Sequence, residues 1–205
     1  MAQAAVTVHA HVDEKQKQLS IANQKLAMWL YLASEVVIFS ILIGGYAIFR
    51  VNHTDNVKAV HAEAGLLLVS INTFLLLTSS WAMVMGLREI QRKNRQGFLQ
   101  WFGAMCALGT VFIIGQYIEY SELAHLKITL GATAEVFGDF GARFYAPTAF
   151  HGAHVIIGVL WGLLVMWRGY KGRYDDNAVG VEVFGLYWHF VDVVWIILFT
   201  LIYLV

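Results

Sequence analysis

Residues Phe150-His151-Gly152-Ala153-His154-Val155-Ile156-Ile157-Gly158 set two imidazoles three positions apart in a segment otherwise apolar enough to sit in lipid. On a helix that spacing puts His151 and His154 on one face. Gly158, four residues beyond His154, and Gly162, four beyond that, continue nearly the same stripe. A helix with two polar rings and two glycines along one side presents that side to other helices. The rest of the chain must supply what the histidines meet.

Composition puts this helix in a membrane. Apolar residues make up 59% of the chain and charged residues 14%, against roughly 25% charged in a soluble domain. The formal net charge is zero, so nothing favours a nucleic acid or an acidic partner. The single cysteine, Cys106, lies in an apolar run, which excludes an internal disulfide and a thiolate metal cage.

Five apolar runs of spanning length follow a polar tail, residues 1–25, which is read as cytoplasmic and uncleaved. The predicted spans are 26–49, 64–87, 101–122, 144–167 and 181–204, forming an all-α bundle of five transmembrane helices. Short connections make neighbours antiparallel. Lys15, Lys17 and Lys25, then Arg88, Arg92, Lys93 and Arg95, then Arg168, Lys171 and Arg173 fall on one side, ten cations in all. Arg50, Lys58, Lys127 and Arg143 fall on the other. The positive side faces inward, so the N-terminus is expected inside and the C-terminus outside. The glycine-bearing stretch 123–143 is expected to be a loop on the outer face, and Pro147 to sit in the first turn of the fourth span. Trp29, Trp81, Trp101 and Trp167 lie nearer the span ends and read as interface anchors.

Ionisable groups at membrane depth cost several kcal/mol, as a rough scale, and face a bundle interior, a partner or a water path. They are Glu35, Glu119, His151, His154, His189 and Asp192, with the amides of Asn72 and Gln116. At 1.5 Å rise per residue, Glu119 and His151 fall at similar depth, as do Gln116 and His154, and each is expected to pair. Glu182, Gly185, His189 and Asp192 form a stripe on the last span. The histidines admit two readings, metal or haem ligation and hydrogen bonding between helices, and the residues favour the second. His154 and Asp192 also match in depth, which keeps a metal site open. Glu35 is read either as a proton-handling or lipid-contacting carboxyl, or as one bonded across to another helix.

Five motifs then occur in order: Ser34-Glu35-Val36, Asn72-Thr73-Phe74-Leu75-Leu76-Leu77-Thr78-Ser79, Gly115-Gln116-Tyr117-Ile118-Glu119-Tyr120, the histidine stretch above, and Tyr187-Trp188-His189-Phe190-Val191-Asp192-Val193-Val194-Trp195. Together, over about residues 26–204, they resemble subunit III of the haem–copper oxidases, the cytochrome c and quinol oxidases of aerobic respiration. The resemblance implies a bundle in a bacterial plasma membrane that packs directly against subunit I, with subunit II and a small subunit IV as further partners. It implies no redox cofactor in this chain, with haem and copper in subunits I and II. It also implies a phospholipid in a cleft between helices, and a role in stabilising subunit I and supporting proton uptake. Glu35 matches the family's buried carboxyl near the subunit I interface, which favours its functional reading, whereas the family weighs against metal ligation by the histidines.

The sequence departs from the resemblance in three places. Many members have seven helices, and this chain starts at the counterpart of their third, so the lipid cleft is expected to be absent or completed by another chain. Ala149 stands where the family often has glycine, and the aromatic residues that usually follow the last helix are missing. Two alternatives remain: a membrane cytochrome or metal-binding redox protein using His151, His154 and His189, and an accessory subunit of a nitric oxide reductase.

Overall fold

A computed structural model describes residues 2–53, 66–125, 140–175 and 177–204, with side chains from residue 14 onward. The described residues form α1 (Ala2–Asn52), α2 (Leu66–Gln91), α3 (Arg95–His125), α4 (Phe140–Tyr170) and α5 (Val179–Phe199), the last running into a π-helical turn, Thr200–Leu204. Five helices have the length and apolar character to cross a membrane, so the chain is a multi-pass, all-α membrane protein. Each helix extends beyond its predicted span. Residues 14–25, rich in Lys and Gln and free of Gly and Pro, continue α1 as one helix with the apolar run. Lys25 in that part pairs with Glu182 in the first turn of α5 at 2.7 Å.

Consecutive helices from α2 onward pack on one another, α2 closes on α5, and α1 lies against α4 and α5. This arrangement explains the single buried stripe of α1, made by Leu32, Glu35, Phe39, Tyr46 and Phe49. The remaining faces show lipid-compatible side chains such as Leu30, Val37, Ile41 and Ile48.

The cation-rich end of the bundle is closed by two tight turns. Lys93 adopts φ 61° between α2 and α3, and the Asn94 side chain then accepts from Gly97 N at 3.2 Å, capping α3. Gly172 adopts φ 75° just past α4, where Gly172 N donates to Gly169 O and Arg173 N to Arg168 O, a left-handed ending that suits glycine. Arg95 reaches Asp175 at 2.6 Å and ties the two turns together.

At the opposite end, α4 begins at Phe140, earlier than its predicted span, because Phe140 packs on Tyr46 and Phe49 of α1. Pro147 therefore lies inside the helix and not in its first turn, and the Arg143 carbonyl loses its i+4 donor. The loop expected at 123–143 lies outside the described residues for 126–139.

The core is glycine-mediated. A Cβ on Gly158 would come within 2.5 Å of the Trp188 ring, and one on Gly109 within 3.0 Å of the same ring. Gly162 is closed by Met105, Cys106 and Phe184. Gly158, on the stripe of His151 and His154, is thus part of the bed of Trp188. On α2, three hydroxyls meet rings of the antiparallel α5: Trp195 Nε1 donates to Thr73 Oγ1 at 2.9 Å, Trp188 Nε1 to Ser79 Oγ at 3.1 Å, and Ser80 Oγ lies 2.5 Å from His189 Nδ1. Thr73→Val keeps the shape but leaves the buried Trp195 N–H without an acceptor. It is expected to cost about 1–3 kcal/mol, read as a lower thermal midpoint for retention of this chain in its purified assembly.

Candidate functional site

Glu35 lies in the apolar part of α1, on its buried stripe, and is 8% exposed. The preceding Ser34 satisfies its own hydroxyl on Tyr31 O at 2.6 Å and so makes no demand on the carboxyl. Facing Glu35 from α4 is His154, whose Nε2 lies 3.4 Å from Glu35 Oε2, at ion-pair distance though outside hydrogen-bond geometry. The other ring nitrogen, Nδ1, sits 2.8 Å from Phe150 O. A carbonyl only accepts, so Nδ1 carries hydrogen, and Nε2 is left facing the Glu35 carboxyl. With one proton between them, such a pair would be a neutral acid beside a neutral imidazole, or a carboxylate beside an imidazolium. Both forms have the same net charge, so a proton can move between the two without charging the membrane interior.

Rings from three helices close the site. Phe39 lies 5.4 Å from the His154 ring, 5.1 Å from Phe150 and 6.1 Å from Phe190, centroid to centroid. Tyr187 stacks on the other side of His154 at 6.4 Å and donates its hydroxyl to His154 O at 2.9 Å. The carboxyl–imidazole pair thus sits where α1, α4 and α5 converge, in a pocket of low dielectric that strengthens its mutual attraction.

The other predicted polar residues fall into separate groups. The expected Glu119–His151 and Gln116–His154 pairs do not form. Glu119 instead accepts from Tyr203 Oη, and from Gln116 Nε2 at 3.4 Å on its own helix. His151 is fully buried, stacked on Trp195 at 4.9 Å and edge-on to Phe112 at 5.9 Å, and neither ring nitrogen has a hydrogen-bond partner. Equal depth leaves open the direction a side chain takes around the helix axis, and packing of α1 on α4 turns His154 away from α3. Asn72 donates to Phe112 O at 3.3 Å, and a Cβ on Gly115 would meet its amide at 2.0 Å, so this contact sets the approach of α2 and α3. His189 meets Ser80, while Asp192 is buried beside Ser80 with both oxygens outside hydrogen-bond geometry.

These placements do not fit a metal or haem ligand set. His151 points among rings, His154 toward Glu35 and Phe150, and His189 toward Ser80. Among the described residues no three His, Cys, Asp or Glu side chains converge as ligands. Sequence reasoning missed Tyr203, Ser79, Ser80 and Thr73. A signal for the hydroxyls was present: Thr73 and Ser79 are six apart and Trp195 and Trp188 seven apart, in the opposite order expected for antiparallel helices.

Five spanning helices, joined inside by buried polar contacts and with a carboxyl–imidazole pair where three of them meet, define an integral membrane subunit of the helical-bundle class. A family model described as cytochrome c oxidase subunit III matches residues 5–205, and the chain belongs to that family. The cytochrome c oxidase subunit 3 of Synechocystis sp. is 40% identical over 177 residues, covering 85% of this chain and 72% of the relative. That of Thermostichus vulcanus is 37% identical over 181 residues, covering 87% and 86%. The quinol oxidase subunit 3 of Bacillus subtilis is 32% identical over 181 residues, covering 87% and 85%. The chain is therefore subunit III of a haem–copper oxidase, a component of an oxidoreductase complex that associates with other oxidase subunits. Neither the separate redox protein nor the nitric oxide reductase accessory subunit is favoured.

Proposed function

We propose that this chain is a non-catalytic subunit that stabilises subunit I and sustains proton uptake during the reduction of oxygen to water, with Glu35 and His154 as its proton-handling pair. The observation that carries this reading is the geometry of the pair. One proton shared between a buried carboxyl and a buried imidazole is exchangeable at little electrostatic cost, which a lone carboxyl at that depth would not permit. On this reading haem and copper belong to subunits I and II, subunit I packs directly on this bundle, and subunit II and a small subunit IV complete the assembly. Ten cations on one side favour a cytoplasmic position for the cation-rich end and the polar part of α1, residues 2–25, with the C-terminus outside. In a bacterium the membrane is the plasma membrane.

A bound phospholipid fits the same picture. A groove of about 520 Å³ between α1 and α4 is lined by Ile41, Leu42, Gly45, Ala142, Arg143 and Ala146. Its small residues suit an acyl chain, and Arg143 suits a phosphate.

The testing variant is Glu35→Gln in the purified oxidase. The amide keeps the shape but cannot exchange a proton with His154. Expected are an assembled complex with unchanged initial turnover, slower proton uptake, and inactivation after several-fold fewer turnovers. Wild-type uptake and lifetime would sink the role proposed for the pair.

A further inference from the structure

A second carboxyl, at the far end of the bundle from the cation-rich turns, is built differently. Glu119 is 7% exposed. Tyr203, carried inward by the π-helical turn after α5, donates to its Oε1, and the Gln116 side chain lies 3.4 Å from its Oε2. The groups around it are Tyr120 and Glu122 of its own helix, Tyr145 of α4, and Tyr203, which itself faces Tyr46 of α1. The charged member of that set, Glu122, has the same sign, and none of the ion pairs among the described residues includes Glu119. An ionised Glu119 would thus be a buried charge without a counter-ion among the described residues, which is strongly unfavourable.

With the Gln116 amide nitrogen toward Glu119, two buried atoms stand without partners: Gln116 Oε1 and Tyr120 Oη. Rotating that amide by half a turn leaves the heavy-atom positions almost unchanged and reverses its polarity. Gln116 Oε1 then faces Glu119 and needs a donor, which only a protonated carboxyl can be. Gln116 Nε2 is directed to the Tyr120 hydroxyl beside it, and that hydroxyl adjoins Thr148. The Thr148 hydroxyl, fully buried, already donates to Phe144 O at 2.7 Å. Every link then has one donor and one acceptor, and both orphans gain partners.

We propose that Glu119 is a proton-binding site held as the neutral acid, its proton fixed by a one-way chain from Glu119 through Gln116, Tyr120 and Thr148 to the Phe144 carbonyl. The proton on the carboxyl donates to Gln116 Oε1, the Gln116 amide to Tyr120 Oη, and the Tyr120 hydroxyl to Thr148 Oγ1. Tyr203 holds the carbonyl oxygen of the acid. The chain joins α3 to α4, and Tyr203, in the turn that follows α5, adds a third element, so one neutral acid clasps three helices at one end. This site is independent of the Glu35–His154 pair, since it shares no residue with it.

The test is infrared spectroscopy on the purified oxidase, made with glutamate isotope-labelled at the side-chain carboxyl and compared between wild type and Glu119→Gln. The expected difference is loss of a labelled C=O stretch of a protonated acid, shifted in deuterated buffer and present throughout the pH range in which the subunit stays bound. Loss of carboxylate stretches instead would overturn the proposal. Should Glu119→Gln fail to assemble, Tyr203→Phe leaves the acid in place and removes the donor to its carbonyl. The labelled C=O band is then expected at higher frequency, and an unmoved band, or none in the acid region, would overturn the proposal.

Discussion

Trp188→Ala is expected to release this subunit from the oxidase during detergent purification, with a stability loss of about 3–5 kcal/mol. The indole is fully buried, and it occupies the space that Gly109 of α3 and Gly158 of α4 leave open. Its N–H also donates to Ser79 of α2. Removing it therefore empties the joint of four helices, and opens a cavity that the backbones around the two glycines cannot collapse to fill. Ser79 still donates to Leu76 O at 2.6 Å and loses only a partner that donates to it, so the cost is one of volume more than of hydrogen bonding. Subunit retention through size-exclusion chromatography, compared with wild type, checks this, and equal retention would contradict the central place given to Trp188.

Gly158→Ala attacks the same joint from the other side. The added methyl would lie 2.5 Å from Trp188 Cζ3 and 2.8 Å from Cε3, against a rigid ring locked on its far side by α2. The expected cost is about 1–3 kcal/mol from overpacking, and α4 is expected to move away from α5. The two sites touch, so their effects should not add. Gly158→Ala in a Trp188→Phe background is expected to cost clearly less than in wild type, because the smaller ring yields the space. Additive losses in the thermal midpoints of the four proteins would mean that the helices shift as bodies rather than that ring and methyl collide.

Five helices were legible because their apolar windows are long and their charged residues avoid them. Burial of most of the polar groups was legible as well: Glu35, Asn72, Gln116, Glu119, His151, His154 and Asp192 are buried, and His189 is half-buried. Their partners were not. Depth follows from residue count and chain direction, whereas azimuth follows from which helices touch. Nothing in the sequence says that α1 lies on α4 and α5 and not on α2. That one fact sends His154 to Glu35, and leaves Glu119 to Tyr203. Tyr203 itself was hidden by the π-helical turn, which departs from the 3.6-residue period on which sequence patterns rest. The hydroxyls of Thr73, Ser79 and Ser80 were hidden differently. Inside a helix such groups can bond their own backbone, as Thr73 does to Val69 O at 2.8 Å, so their second bond across to α5 leaves no mark in composition.

The length of α1 has a mechanical consequence. From Glu14 to Glu35 the helix runs unbroken, roughly 30 Å at 1.5 Å per residue, with no glycine or proline to bend it. At Lys25 it is pinned to the start of α5, and beyond that point it carries Glu35, which faces His154. Such a rod acts as a lever with its pivot near Lys25. A sideways push on the polar arm would rock the buried arm the opposite way and change the 3.4 Å gap between carboxyl and imidazole. Whatever grips the polar arm holds a handle on that gap.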